Sequence, residues 1–309
     1  MGICNAGVYN TDIDAAVGML PEYLEEDESL KSKQNELLNC SAILALGLSY
    51  AGTAREDVLE LLSDFVVIEE DDEDDESGSA KEPLDRRVAV AALSIGMIFV
   101  GTSEYEAAEA LIERLLQSSE AEQARPEMRL VALGLSLLYL GCEESADVAR
   151  DILKTIENES FRNFALMTLK SCAYAGTGNV LKVQEMLHAC AEHIEDADES
   201  SHQLAAVVGI ALVTMGEEIG KEMAMRTMEH LLQYGEITIR RAVPLAIGLL
   251  FVSDPDYSVT DLLSKLTHDS DEAVAMNAIL ALGLIGSGSN NSRIAQLLRQ
   301  LSSFYQRKP

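Results

Sequence analysis

The first residues with the types and spacing to do chemistry are glycines. Gly47/Gly52 in "ILALGLSYAGT" and Gly96/Gly101 in "ALSIGMIFVGT" have the Gly-x4-Gly spacing of a phosphate-binding loop. Such a loop needs Lys and then Ser or Thr directly after the second glycine, to reach the phosphates and magnesium. Here the followers are Thr53-Ala54 and Thr102-Ser103, and at later copies Cys142-Glu143 and Thr177-Gly178. Lysine is missing and Glu143 would repel phosphate, so the glycines read as packing and capping elements. A GxSxG nucleophile elbow fails too, because "GLSYAG" has one residue too many between Ser49 and Gly52. HExxH and CxxC spacings do not occur, and Cys190 and His193, three apart on a helical face, lack a second pair of zinc ligands. We therefore expect no enzyme, no metal and no cofactor.

The better candidates are carboxylates for binding. At 100° per residue, Glu106, Glu109, Glu113 and Gln117 fall within one arc of about 80°. Ala108, Leu111, Ile112 and Leu115 lie opposite, on the expected core side. Glu144, Asp147 and Asp151 share a face of "ESADVARDILKTI", and Glu56, Asp57 and Glu60 occupy the first turns of an earlier segment. On the residues alone two readings stand side by side: an acidic binding surface, or an ordinary solvated helix face.

Charge narrows the partners. The chain of 309 residues holds 52 acidic and 23 basic residues, a formal −29. Residues 1–200 carry 41 acidic and 14 basic of these, so the excess is concentrated there. A surface this acidic repels phosphate backbones, so we expect no nucleic acid and instead proteins with basic faces. A run of about 18 apolar residues is lacking, so no membrane span is expected. Met1-Gly2 resembles an acylation signal, but Ala6 stands where Ser or Thr is needed, and the start lacks a signal peptide's basic flank. Five scattered cysteines fit reduced thiols, hence cytoplasm or nucleus.

The elements that must position these residues are repeats. An Ala/Leu-rich run, a small residue, four more residues and a glycine recur through the chain. The copies are Gly47/Gly52, Gly96/Gly101, Ser136/Gly141, Ser171/Gly176, Ala211/Gly216, Gly248/Ser253 and Gly283/Gly288, with a degenerate Gly2/Gly7. Each copy reads as an apolar inner helix closed by a glycine of positive φ, then an amphipathic outer helix. Thr53-x-x-Glu56 and Ser103-x-x-Glu106 have the spacing of capping boxes for two outer helices. Sustained period-2 alternation is missing, so strands are not expected. The expectation is all-α: an α-solenoid of about eight helix pairs in one repeat domain over 1–309. Two acidic stretches interrupt it, a disordered loop at 69–82 and a short linker at 195–202. Because such repeats stack in register, the acidic faces would adjoin as one wall.

Longer runs carry a resemblance. They are "GLSYAGTAREDVLELL" (47–62), "SCAYAGTGNVLKVQEMLH" (171–188), "MGEEIGKEMAMRTMEHLLQYGE" (215–236), "IRRAVPLAIGLL" (239–250), "THDSDEAVAMNAI" (267–279) and "GSGSNNSRIAQLLRQLSSFY" (286–305). In these runs the chain resembles the proteasome/cyclosome-repeat family, in particular the large non-ATPase base subunits of the proteasome regulatory particle that serve as ubiquitin-receptor scaffolds. The resemblance implies part of a toroid, without the repeats that would close it. It also implies a non-catalytic receptor that binds ubiquitin and the ubiquitin-like domains of shuttle factors or a deubiquitinase, beside proteasomal ATPase and other regulatory-particle subunits. The family's acidic binding positions fall on Glu106 and Glu113, with Gln117 where an acid often stands. Glu56, Glu60, Glu109, Asp147 and Asp151 complete the expected surface. The alternative is a purely structural scaffold for the ATPase ring that binds no ubiquitin.

Overall fold

The computed structural model describes Tyr23 and residues 32–66, 86–194 and 200–305. The acidic stretch 69–82, residues 195–199 and the Gly2/Gly7 copy lie outside the described residues. Fifteen α-helices and no strand occur among the described residues, as the helical period predicts. The chain divides into two compact units, Met1–Ala173 and Tyr174–Pro309.

The first unit holds α1 (Ser32–Ser49), α2 (Glu56–Val66), α3 (Arg86–Ile98), α4 (Tyr105–Gln117), the one-turn α5 (Glu120–Gln123) and α6 (Pro126–Leu138). A 3-10 turn at Glu143–Ala146 then leads into α7 (Asp147–Leu153), followed by α8 (Glu159–Ala173). The second unit holds α9 (Val180–Ala191), α10 (Ser201–Thr214), α11 (Glu218–Tyr234), α12 (Ile237–Leu250), α13 (Tyr257–Leu266), α14 (Glu272–Gly286) and α15 (Ser292–Tyr305). Helix α10 starts inside the segment expected as linker. Ser200, Ser201 and His202 are buried, so these three residues are not a solvated linker.

Inner helices stack on inner helices: α1, α3, α6 and α8 in the first unit, and α10, α12 and α14 in the second. Small residues set their spacing. A Cβ added at Gly47 would lie 2.6 Å from Cβ of Ser94, and one at Gly96 would lie 2.3 Å from the Gly134 carbonyl oxygen. In the second unit a Cβ on Gly248 would meet Cβ of Ala281 at 2.7 Å. In all three crossings the repeat's small residue faces the position two before the next repeat's small residue. Any larger side chain would force the backbones apart and open the core that Ile43, Leu46, Ile95, Leu135 and Leu138 fill.

The glycine turns do more than end helices. Gly52 and Ala54 have φ of 72° and 51°, and Gly101 and Ser103 have 69° and 54°. In that left-handed conformation the amides of Gly52 and Ala54 donate to the carbonyls of Met97 and Ile98, at 2.9 and 3.1 Å. Gly101 and Ser103 donate likewise to Leu137 and Leu138, both at 3.0 Å. In the second unit Gly176 and Gly178 donate to Leu212 and Val213, at 2.8 and 2.9 Å. The last carbonyls of a helix have no partner within it. Here the turn of the preceding repeat supplies the donors.

That geometry overturns the two expected capping boxes. Thr53 Oγ1 donates back to the Tyr50 carbonyl at 2.7 Å, and Ser103 lies inside the left-handed turn. The N-cap of α4 is Glu104, without a side-chain cap. The turn residues are committed to the next inner helix, so their hydroxyls sit too early to cap the outer one. A capping box does form at Ser119 and Glu122, opening α5.

Candidate functional site

Helix α4 presents the expected row. Glu106, Glu109, Glu113 and Gln117 are exposed, while Ala107, Ala108, Leu111 and Leu115 are buried. Ile112, placed on the core side by the helical wheel, is only half-buried. Within the row, Gln117 Nε2 donates to Glu113 Oε1 at 2.8 Å, so the glutamine occupies part of a neighbouring carboxylate. The Tyr105 hydroxyl donates to Glu109 Oε1 at 3.2 Å, and the Glu109 charge holds the Tyr105 pKa above the ordinary phenol range. Since no capping box forms at Ser103, Glu106 is not drawn back to the backbone.

Helices α2 and α7 both pack beside α4, so the three outer helices that carry the expected carboxylates are neighbours. On α2, Glu56 and Glu60 are exposed. Asp57 is tied to Arg55, whose hydrogen bond holds the Asp57 pKa below the ordinary carboxylate range. Helix α7 differs from its expected role. Asp147 pairs with Arg150 at 2.6 Å, and Asp151 pairs with Lys154 at 2.8 Å and Arg150 at 3.5 Å. The Lys154 hydrogen bond lowers the Asp151 pKa. Glu144 belongs to the 3-10 turn that precedes α7 and is exposed. The α7 carboxylates are thus largely answered by cations on their own helix. The open negative charge lies on α2 and α4.

Two features escaped the sequence reading. Arg114 is buried on the inward side of α4, 8% exposed, with the Glu122 carboxylate 3.9 Å away and its Nε without a partner. Burial lowers its pKa, and the pair holds the end of α4 against the Ser119–Glu122 cap. The signal available was its position: 114 follows Leu111 by three and precedes Leu115, on the apolar arc. The second feature is exposed apolar surface. Tyr105 is 71% exposed, Val148 71% and Leu116 45%. Tyr105 and Leu116 lie four residues before and seven after Glu109, so two exposed apolar side chains flank the acidic row on α4.

Elsewhere the chemistry is spare. Among the described residues no group of three or more His, Cys, Asp or Glu could hold a metal ion. Helix α9 ends at Ala191, so His193 leaves the face of Cys190 and contacts Glu236 instead. Burial pushes the Cys172 and Cys190 thiols up to about 12, which leaves them unreactive in the folded chain. No helix among the described residues is long and apolar enough to cross a membrane.

Helix pairs stapled through left-handed glycine turns, with polar chemistry on exposed outer helices, define an α-helical repeat protein. The model of the proteasome/cyclosome repeat matches residues 41–73 and 277–308, so the chain carries that repeat in both units. It is 45% identical to the 26S proteasome regulatory subunit rpn-1 of Neurospora crassa over 99% of this chain and 32% of that protein. Against the 26S proteasome non-ATPase regulatory subunit 2 of Dictyostelium discoideum the identity is 42%, over 99% of this chain and 31% of the relative. The 26S proteasome non-ATPase regulatory subunit 2 homolog A of Arabidopsis thaliana is 52% identical over 73% of this chain and 25% of its own length. The chain spans about a third of the length of the first two relatives.

Proposed function

We propose that the chain works within a non-catalytic scaffold and receptor subunit of the proteasome regulatory particle, in the cytoplasm and nucleus. Its task in this reading is to bind ubiquitin and the ubiquitin-like domains of shuttle factors or a deubiquitinase through α4 and α2. Names borne by the relatives support the regulatory-subunit role; contact with ATPase and other regulatory subunits is part of the proposal. The observation that carries the binding role is the α4 surface itself: Glu106, Glu109 and Glu113 exposed in a row, bordered by exposed Tyr105 and Leu116.

The mechanism has no covalent step. Carboxylates steer a basic β-grasp surface onto α4, and apolar contact with Tyr105 and Leu116 supplies the holding energy. Each exposed ion pair contributes little alone, about 0–1 kcal/mol. Affinity should therefore be modest and fall as salt rises. Calorimetric titration of a ubiquitin-like domain at two salt concentrations tests this. Binding that weakens with salt supports the receptor reading. Absent binding, with retained association to proteasomal ATPase subunits, would leave the structural scaffold instead.

A further inference from the structure

At the end of α4 a buried cation is left without hydrogen bonds. Arg114 is 8% exposed, yet its guanidinium donates to no acceptor among the described residues. Glu122, the carboxylate beside it, comes no nearer to Nη2 than 3.9 Å. The other oxygen of that carboxylate is already engaged, accepting the Ser119 amide at 2.9 Å and the Ser119 hydroxyl at 3.1 Å. A guanidinium has five N–H donors, and a cation buried without hydrogen bonds is costly.

Glu122 thus stands between a buried cation and a serine hydroxyl. Ser118 is buried and Ser119 is exposed, so Ser119 is the hydroxyl open to solvent. It opens α5, a helix of four residues with little stability of its own. Local opening of that turn would present the hydroxyl to an enzyme at small cost. Glu120 and Glu122 follow Ser119 by one and three residues. They suit a basic substrate groove on such an enzyme.

We propose that Ser119 is a phosphorylation site for an acidophilic serine kinase, and that Arg114 receives the phosphate. The Ser119 hydroxyl oxygen bonds to the γ-phosphorus of ATP, and the bond from that phosphorus to the β-phosphate oxygen breaks. ADP leaves, and the hydroxyl proton passes to the kinase's catalytic carboxylate. The new charge repels the Glu122 carboxylate from between the two side chains into solvent. Phosphate oxygens then offer the guanidinium fork a paired set of acceptors, which a carboxylate at 3.9 Å does not. Ser119 lies two residues past Gln117, so the modification adds negative charge at the end of the α4 row. The site stands independently of the receptor reading.

Incubation of the intact chain with an acidophilic serine kinase and magnesium ATP, followed by peptide mass mapping, tests the modification. Phosphate on Ser119 is the expected result, and its absence there would overturn the proposal. Phosphorus NMR tests the part of Arg114. The resonance missing from Ser119→Ala should titrate about 0.5–1 pH unit lower in the folded chain than in the tryptic peptide that begins after Arg114. That peptide keeps Glu120 and Glu122 and loses the guanidinium. Arg114→Gln should remove the difference; if it fails to fold, urea unfolding of the modified wild type should remove it instead. Equal titration in chain and peptide, or a difference that survives Arg114→Gln, would overturn the pairing.

Discussion

The amide of Gly101 donates to the carbonyl of Leu137 at 3.0 Å, joining the turn of one helix pair to the last turn of the next inner helix. A residue with a side chain cannot take φ of 69° without strain, and an added Cβ would also crowd the Leu140 carbonyl at 3.1 Å. Gly101→Ala should therefore cost about 1–2 kcal/mol. Thermal unfolding should show a midpoint lower by roughly 2–8 °C. An unchanged midpoint would mean that the turn adapts without loss.

Glu106→Arg/Glu113→Arg should leave the fold intact. Both residues are exposed and neither pairs with a cation, so stability should move by no more than about 0.5 kcal/mol. Leu111→Ala, at a fully buried position of the same helix, should cost about 2–5 kcal/mol. Urea unfolding followed by circular dichroism separates the two outcomes.

Asp271 gives the second unit a pH dependence. Its carboxylate takes Arg241 Nη2 at 2.8 Å and the amides of Ala273 and Val274 at 3.1 and 3.2 Å, capping α14. The Arg241 hydrogen bond, foremost, holds its pKa below the ordinary range. A carboxylate with a lowered folded pKa stabilises above its unfolded value, and that contribution is lost as pH falls through the folded one. Asp271→Asn should thus lower the thermal midpoint at pH 7, with the gap to wild type narrowing below about pH 4. A gap that stays constant with pH would contradict the ionic part of this cap.

Thiol labelling should follow burial. Iodoacetamide at neutral pH should spare Cys172 and Cys190 in the folded chain and modify half-buried Cys40 and Cys142 before them. Mass mapping before and after unfolding checks the order.

The helix pairs were legible because two local requirements coincide at each repeat: an apolar run of helical period, and a residue able to adopt positive φ after it. Ser253 shows that topology sets the second requirement. It takes φ of 59° in the glycine's place and still donates to Leu284 at 3.2 Å. The exposed row on α4 was legible for the same reason, from helical period alone. Non-local partners were not. Thr53 and Ser103 looked like caps because nothing in their own segments shows that the turn is engaged by the next inner helix. The role of Arg114 was not legible because Glu122, its partner, lies beyond the end of the helix. The α7 carboxylates are a different case, since Arg150 and Lys154 stand three residues after Asp147 and Asp151 and their neutralising effect could have been weighed.

The receptor reading is tested most directly on the ubiquitin side. Isotope-labelled ubiquitin, titrated with the unlabelled chain and followed by heteronuclear NMR, reports binding wherever it occurs on the chain. The wild-type chain should perturb a contiguous set of ubiquitin resonances. Glu106→Arg/Glu113→Arg, with an unchanged helical spectrum, should abolish those shifts, because like-charge contact can cost several kcal/mol at a micromolar interface. Equal perturbation by the wild type and the double reversal would place the site away from α4, and no perturbation by the wild type would contradict ubiquitin binding by this chain.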